Sequence, residues 1–100
     1  MKLEVRRFDG PATREALSDF LRSQGCRVLA WADAPGARYP PHEHDHHEII
    51  AVYEGRIDFG AEGRVLALSA GDVLTLPRGT THTADVPAGG VRYLIGELGI

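Results

Sequence analysis

Four of the five histidines in this 100-residue chain fall between positions 42 and 47, as His42, His44, His46 and His47, and Glu48 follows at once. The fifth, His82, ends a second stretch punctuated by glycine and proline, Gly71 to His82. Neutral imidazoles and carboxylates are ligands that divalent first-row metals accept, so the chemistry to expect is metal binding. Side chains two apart on an extended strand share a face, which turns the rings of His42 and His44 toward one point. Two imidazoles and a carboxylate on one face make a ready set of ligands. A later histidine brought alongside by strand pairing makes four and leaves room for water or substrate. A serine or cysteine nucleophile is not evident, since Cys26 precedes both stretches and has no assigned histidine partner. Acid–base candidates are therefore Tyr39, His46 and a metal-bound water. Glu43 and Asp45 have the opposite parity and are expected to face outward as solvated acids.

The elements that must position these residues are mostly strands. Leu3 to Phe8 reads as a short leading strand, and Asp9-Gly10-Pro11 as a turn. Thr13 is a suitable N-cap for one amphipathic helix, Arg14 to Gln24, with Ala16, Leu17, Phe20 and Leu21 at helical spacing and Gly25 as its stop. Cys26 to Asp33 is apolar on both parities. Pro35-Gly36 breaks it, and Pro40-Pro41 excludes helix just before the histidines. Glu48 to Glu54 is a β-branched and aromatic strand closed by Gly55. Arg56 to Phe59, Val65 to Leu68, Val73 to Leu76, His82 to Val86 and Val91 to Leu98 follow. They are separated by turns at Gly60–Gly63, Ser69–Asp72, Pro77–Gly79 and Gly89-Gly90. Short strands so closely punctuated predict an all-β sandwich or barrel.

Composition sets the outer bounds. The chain is 43% hydrophobic and 25% charged, the make-up of a soluble globular protein, and its length suits one domain. The net charge of −3, without a basic cluster, argues against nucleic acid as the partner. The leading residues MKLEVRRFDG lack the apolar core of a signal peptide, no run is long enough to span a membrane, and Cys26 has no disulfide partner. A cytoplasmic protein is expected.

Spacing also carries a family resemblance. Gly36, five residues, His42, one residue, His44, three residues, Glu48, six residues, Gly55 resembles the first cupin motif at every fixed position. Gly71, five residues, Pro77, one residue, Gly79, two residues, His82 resembles most of the second. The asparagine that usually closes the second motif is Val86 here. The chain is thus similar to a small single-domain cupin (monocupin), residues 1–100. Residues 1–34 would supply the leading strand, helix and strand, and residues 35–100 the metal-binding barrel core. The resemblance implies a double-stranded β-helix, a jelly-roll barrel with one short N-terminal helix. It also implies one divalent transition metal (Fe, Mn, Ni, Co or Zn) held by His42, His44, Glu48 and His82. His46 is then expected at the rim or behind the ligands. Tyr39, Arg38, Arg56 and Tyr93 are expected as surface or packing residues, within reach of the barrel mouth.

Two kinds of function follow from the resemblance. One is a small metal-dependent enzyme of dioxygenase, isomerase or lyase type acting on a small molecule. The other is a non-enzymatic ligand-binding or sensor module; the absence of a helix-turn-helix after the barrel and the negative charge weigh against a self-contained regulator. A homodimer is expected as well. If Glu48, Ile50 and Val52 face inward, then Ile49, Ala51 and Tyr53 face out. Together with Leu29 and Trp31 they exceed what one short helix can cover.

Overall fold

The structure, a computed structural model, describes residues 1–99. The chain runs β1 (Glu4–Arg7), α1 (Arg14–Ser23), β2 (Arg27–Asp33), β3 (Arg38–His42), β4 (His47–Ala61), β5 (Arg64–Ser69), β6 (Asp72–Leu76), β7 (His82–Asp85) and β8 (Val91–Leu98). Local chemistry explains the helix. The Thr13 hydroxyl accepts from the Ala16 amide at 3.2 Å, and Gly25 adopts a φ of 86° just past the end.

Strand β4 is the spine. Its first half pairs with β6 and β8, its second half with β5 and β7, and every pairing is antiparallel. Glu48 to Glu54 and Arg56 to Phe59, expected as separate strands, are thus one element of 15 residues. The break expected at Gly55 is a bulge, seen as a register shift between Val52 and Glu54 against β8. The extra residue switches which parity faces inward. Ile50 and Val52 point into the barrel before it, Ile57 and Phe59 after it, and all four join the interior cluster. Gly55 has a φ of 77°, and a Cβ there would run into the Gly90 carbonyl. The hairpin that follows turns tightly at Glu62-Gly63, both with positive φ, so Gly60 and Ala61 belong to the strand.

Two further differences come from tertiary placement. Pro40 and Pro41 lie inside β3, which among the described residues pairs only with β7 and so sits at a sheet edge, where a missing amide donor is tolerated. Leu29 and Trp31 face the interior, because β2 registers them against Ile95 and Tyr93 of β8, and these lie opposite Ile50 and Val52. The outer face of β4 is covered from within the chain. Ile49 and Ala51 pack against Leu17 and Leu21 of α1, with Val73, Leu94 and Cys26, in a second buried cluster that Tyr53 borders. The surfaces cited as grounds for a dimer are therefore partly satisfied by α1 and partly turned inward. No helix among the described residues is long and apolar enough to cross a membrane.

Candidate metal centre

His42 is the last residue of β3 and His82 the first of β7, and strand pairing sets them opposite one another. His82 is held from both sides, by His42 of β3 and by Ala61 of β4, while β6 of the same hairpin pairs with Glu48–Ala51. Their rings lie 4.2 Å apart between centroids. His44 comes from the loop after β3 rather than from the strand, so alternation along a strand is not what aims it. The loop is pinned by the Gly79 amide donating to the His44 carbonyl at 2.9 Å, which leaves the His44 ring 5.0 Å from His42 and 5.3 Å from His82. One ring nitrogen from each of the three lies within 4.8 Å of the others.

The ring orientations suit ligation. His42 Nδ1 is 2.7 Å from the Pro40 carbonyl and His82 Nδ1 is 2.8 Å from the Thr80 carbonyl. A carbonyl can only accept, so each Nδ1 carries the proton and each Nε2 keeps its lone pair. His82 is 4% exposed, and burial lowers its pKa, which favours the neutral, ligating form.

Glu48 enters beside His44. Its Oε1 is 3.6 Å from His44 Nε2, while Oε2 is 3.3 Å from His46 Nε2. His44, His46 and Glu48 thus form a second grouping that shares His44 with the first. The structure brings His42, His44 and His82 together, and Glu48 joins them through His44. His46 also approaches Glu97 Oε2 at 3.3 Å and Asp45 Oδ1 at 3.2 Å. Burial alone would lower the His46 pKa; Asp45, Glu48 and Glu97 outweigh it and raise it. The His46 ring bridges Glu48 and Glu97, paired residues on β4 and β8. His47 has a separate task, accepting the Arg78 amide at 2.9 Å through Nδ1. Three imidazoles, two of them with fixed tautomers, and a buried carboxylate fit a divalent metal such as Fe, Mn, Ni, Co or Zn.

These groups line an open-mouthed cavity of roughly 180 Å³. Tyr39 and Tyr93 line it, but their hydroxyls donate to the two oxygens of Asp33 at 2.7 and 2.8 Å. Burial, with Asp33 as the acceptor, raises both phenol pKa values. Tyr39 is therefore held as a neutral phenol, which disfavours it as a base. Arg38 and Arg56 lie at the surface, paired with Asp85 and Asp58. Glu43 and Asp45 are exposed. Sequence reasoning missed Glu97 and Asp33. Alternation could have found both, because Glu97 continues the inward parity of Tyr93 and Ile95, and Asp33 that of Leu29 and Trp31.

A family model described as the AraC-like ligand binding domain matches residues 28–95. No curated protein matches the chain. Several solved structures do. The RmlC-like cupin from Shewanella frigidimarina NCIMB 400 is 26% identical with a TM-score of 0.62, over 72% of this chain and 65% of its own. KdgF from Halomonas sp. is 29% identical with a TM-score of 0.60, over 69% of this chain and 67% of its own. The DMSP lyase DddQ from Ruegeria pomeroyi DSS-3 is 26% identical with a TM-score of 0.67, over 72% of this chain. The chain spans only 37% of that lyase.

Proposed function

Because the chain belongs to the family of AraC-like ligand-binding domains and has the cupin fold, we propose that it is a metal-dependent monocupin acting on a small molecule. The observation that carries this reading is the convergence of His42, His44 and His82, from two separate segments, in the lining of one open-mouthed cavity. In this reading His42, His44, His82 and Glu48 hold one divalent metal of the Fe, Mn, Ni, Co or Zn group. When bound, it supplies Lewis acidity where the three imidazoles face. The chain's own residues do the rest. The Pro40 and Thr80 carbonyls fix the tautomers of His42 and His82, the apolar walls favour an apolar body, and His46 bridges Glu48 and Glu97. His46 stands behind Glu48, outside the cavity lining, and reaches a bound molecule only through that carboxylate.

Lyase, isomerase and dioxygenase chemistry all suit such a centre, and likeness to a DMSP lyase supports testing lyase substrates first. The test is anaerobic purification, metal analysis, and turnover screens with each metal, including oxygen uptake. Metal uptake with turnover of any substrate supports the enzyme; a chain that takes up none of these metals removes the reading. A second reading, a ligand-binding module without turnover, is favoured by the family description and by the commitment of both cavity phenols to Asp33. Tight binding of a small molecule that is released unchanged would select it. A single domain over residues 1–100, a cytoplasmic setting supported by the lone buried thiol of Cys26, and assembly as a homodimer belong to the same proposal.

A further inference from the structure

The cavity is polar at one end only. Apart from His42, His44, His82 and Glu48, the lining side chains with polar atoms are Trp31, Tyr39 and Tyr93. All three spend those atoms on one another or on Asp33. Trp31 Nε1 donates to the Tyr39 hydroxyl at 3.3 Å, and both hydroxyls donate to Asp33. What these residues turn to the cavity is ring surface, alongside Ile50, Ile57 and Phe59. No lysine or arginine lines it.

From this distribution we infer that the molecule taken up carries one small chelating head, such as a carboxylate, on an apolar body about the size of a benzene ring. The inference deepens the proposed function and rests on it for the head group. Volume shows that one ring fits: the cavity measures roughly 180 Å³ and opens past Leu29 and Trp31, and an enclosed one of ~150 Å³ lined by Leu, Ile and Phe accommodates benzene. Polarity follows from hydrogen bonding. A sugar acid would bring several hydroxyls against walls whose N–H and O–H donors are already committed, and most of them would give up water without replacement. A planar or branched hydrocarbon body loses nothing there and gains by burial.

The chain contains a single tryptophan, and Trp31 stands in the cavity wall, so its fluorescence reports occupancy directly. The experiment titrates cobalt(II)-loaded protein, with loading checked by elemental analysis, against acetate, benzoate and galacturonate, which share a carboxylate head. Burial of one ring predicts that benzoate binds about ten- to a hundredfold more tightly than acetate or galacturonate. Galacturonate binding as tightly as benzoate overturns the inference and leaves the metal centre standing. If cobalt is not taken up, the metal reading fails separately, and the metal-free chain decides the cavity. There, benzyl alcohol shifting Trp31 fluorescence while galactose does not supports the apolar body; galactose matching it, or neither acting, overturns it. Ala84→Leu, which fills the wall beside Phe59, should remove the preference for benzoate over acetate in a chain whose circular dichroism is unchanged. A folded Ala84→Leu protein that keeps the preference also overturns the inference, and the unsubstituted comparison stands if that variant does not fold.

Discussion

His82 and His46 bear the same side chain but face different neighbours. His82 turns one nitrogen to the Thr80 carbonyl and leaves the other among the rings of His42 and His44. His46 is occupied by carboxylates, at Asp45, Glu48 and Glu97. His82→Ala is therefore expected to weaken metal binding by about 1–3 kcal/mol or more, with the fold intact, and His46→Ala by less. Equilibrium dialysis of the two variants decides; if His46→Ala releases the metal and His82→Ala retains it, the assignment is reversed. The phenol of Tyr93 makes a second test away from the histidines. Burial first, then Asp33 accepting its proton, raises its pKa well above the ordinary value. Above about pH 10 the unfolded chain loses a proton that the folded chain keeps, so stability falls as pH rises through that value. Tyr93→Phe should be about 1–2 kcal/mol less stable at pH 8, yet lose less stability than the natural chain between pH 9 and 11. Urea unfolding at each pH measures both, and equal losses in the two proteins would dismiss the account.

At the scale of elements, what was legible in the sequence is what local chemistry determines. Thr13 and Gly25 bound the helix through their own cap geometry, and β8 occupies Val91–Leu98 directly after the Gly89-Gly90 turn. The inward parity of Ile50 and Val52 was legible through alternation. What was not legible depends on partners distant in sequence. A glycine that closes a strand and one that carries it through a bulge look alike until Gly90 is seen packed against Gly55. Nor does spacing reveal that His44 leaves the strand, or that His82 meets His42 across a β3–β7 pairing. Glu48 and His82 could be picked out as donors by type, while their routes to one place could not. The bulge is the device on which the inward parity of Ile57 and Phe59 depends. Gly55→Ala must place a Cβ against the Gly90 carbonyl at a φ of 77°. A cost of roughly 1–3 kcal/mol is expected, seen as a lower midpoint of thermal unfolding. An unchanged midpoint would mean that β4 can bend without that glycine.

At the scale of the whole molecule, the all-β barrel with its helix of ten residues has edge strands at β1, β2, β3 and β5 among the described residues. In the sheet that runs β1, β6, β4, β8, β2, the four-residue strand β1 ends one side and the seven-residue strand β2 the other. Short edges resist further pairing, whereas a longer apolar edge invites it. Val28 to Ala32 carry no charge, and among the described residues β2 pairs only with β8. Leu29 and Trp31, although on the interior face, remain 37% and 49% exposed because nothing closes the barrel beyond them. We propose a homodimer on grounds that differ from those read in the sequence: the outer face of β4 has its cover in α1, and the open element is the edge of β2. Antiparallel pairing of β2 with its copy would be self-complementary about a two-fold axis and would bring each subunit against the other's cavity mouth. Sedimentation at micromolar concentration should give a dimer. Trp31→Glu should return it to a monomer with the same β-type circular dichroism, because a carboxylate at the seam would be desolvated without a partner. A natural chain that sediments as a monomer would mean that β2 stands open in solution and that the cavity is reached directly across it.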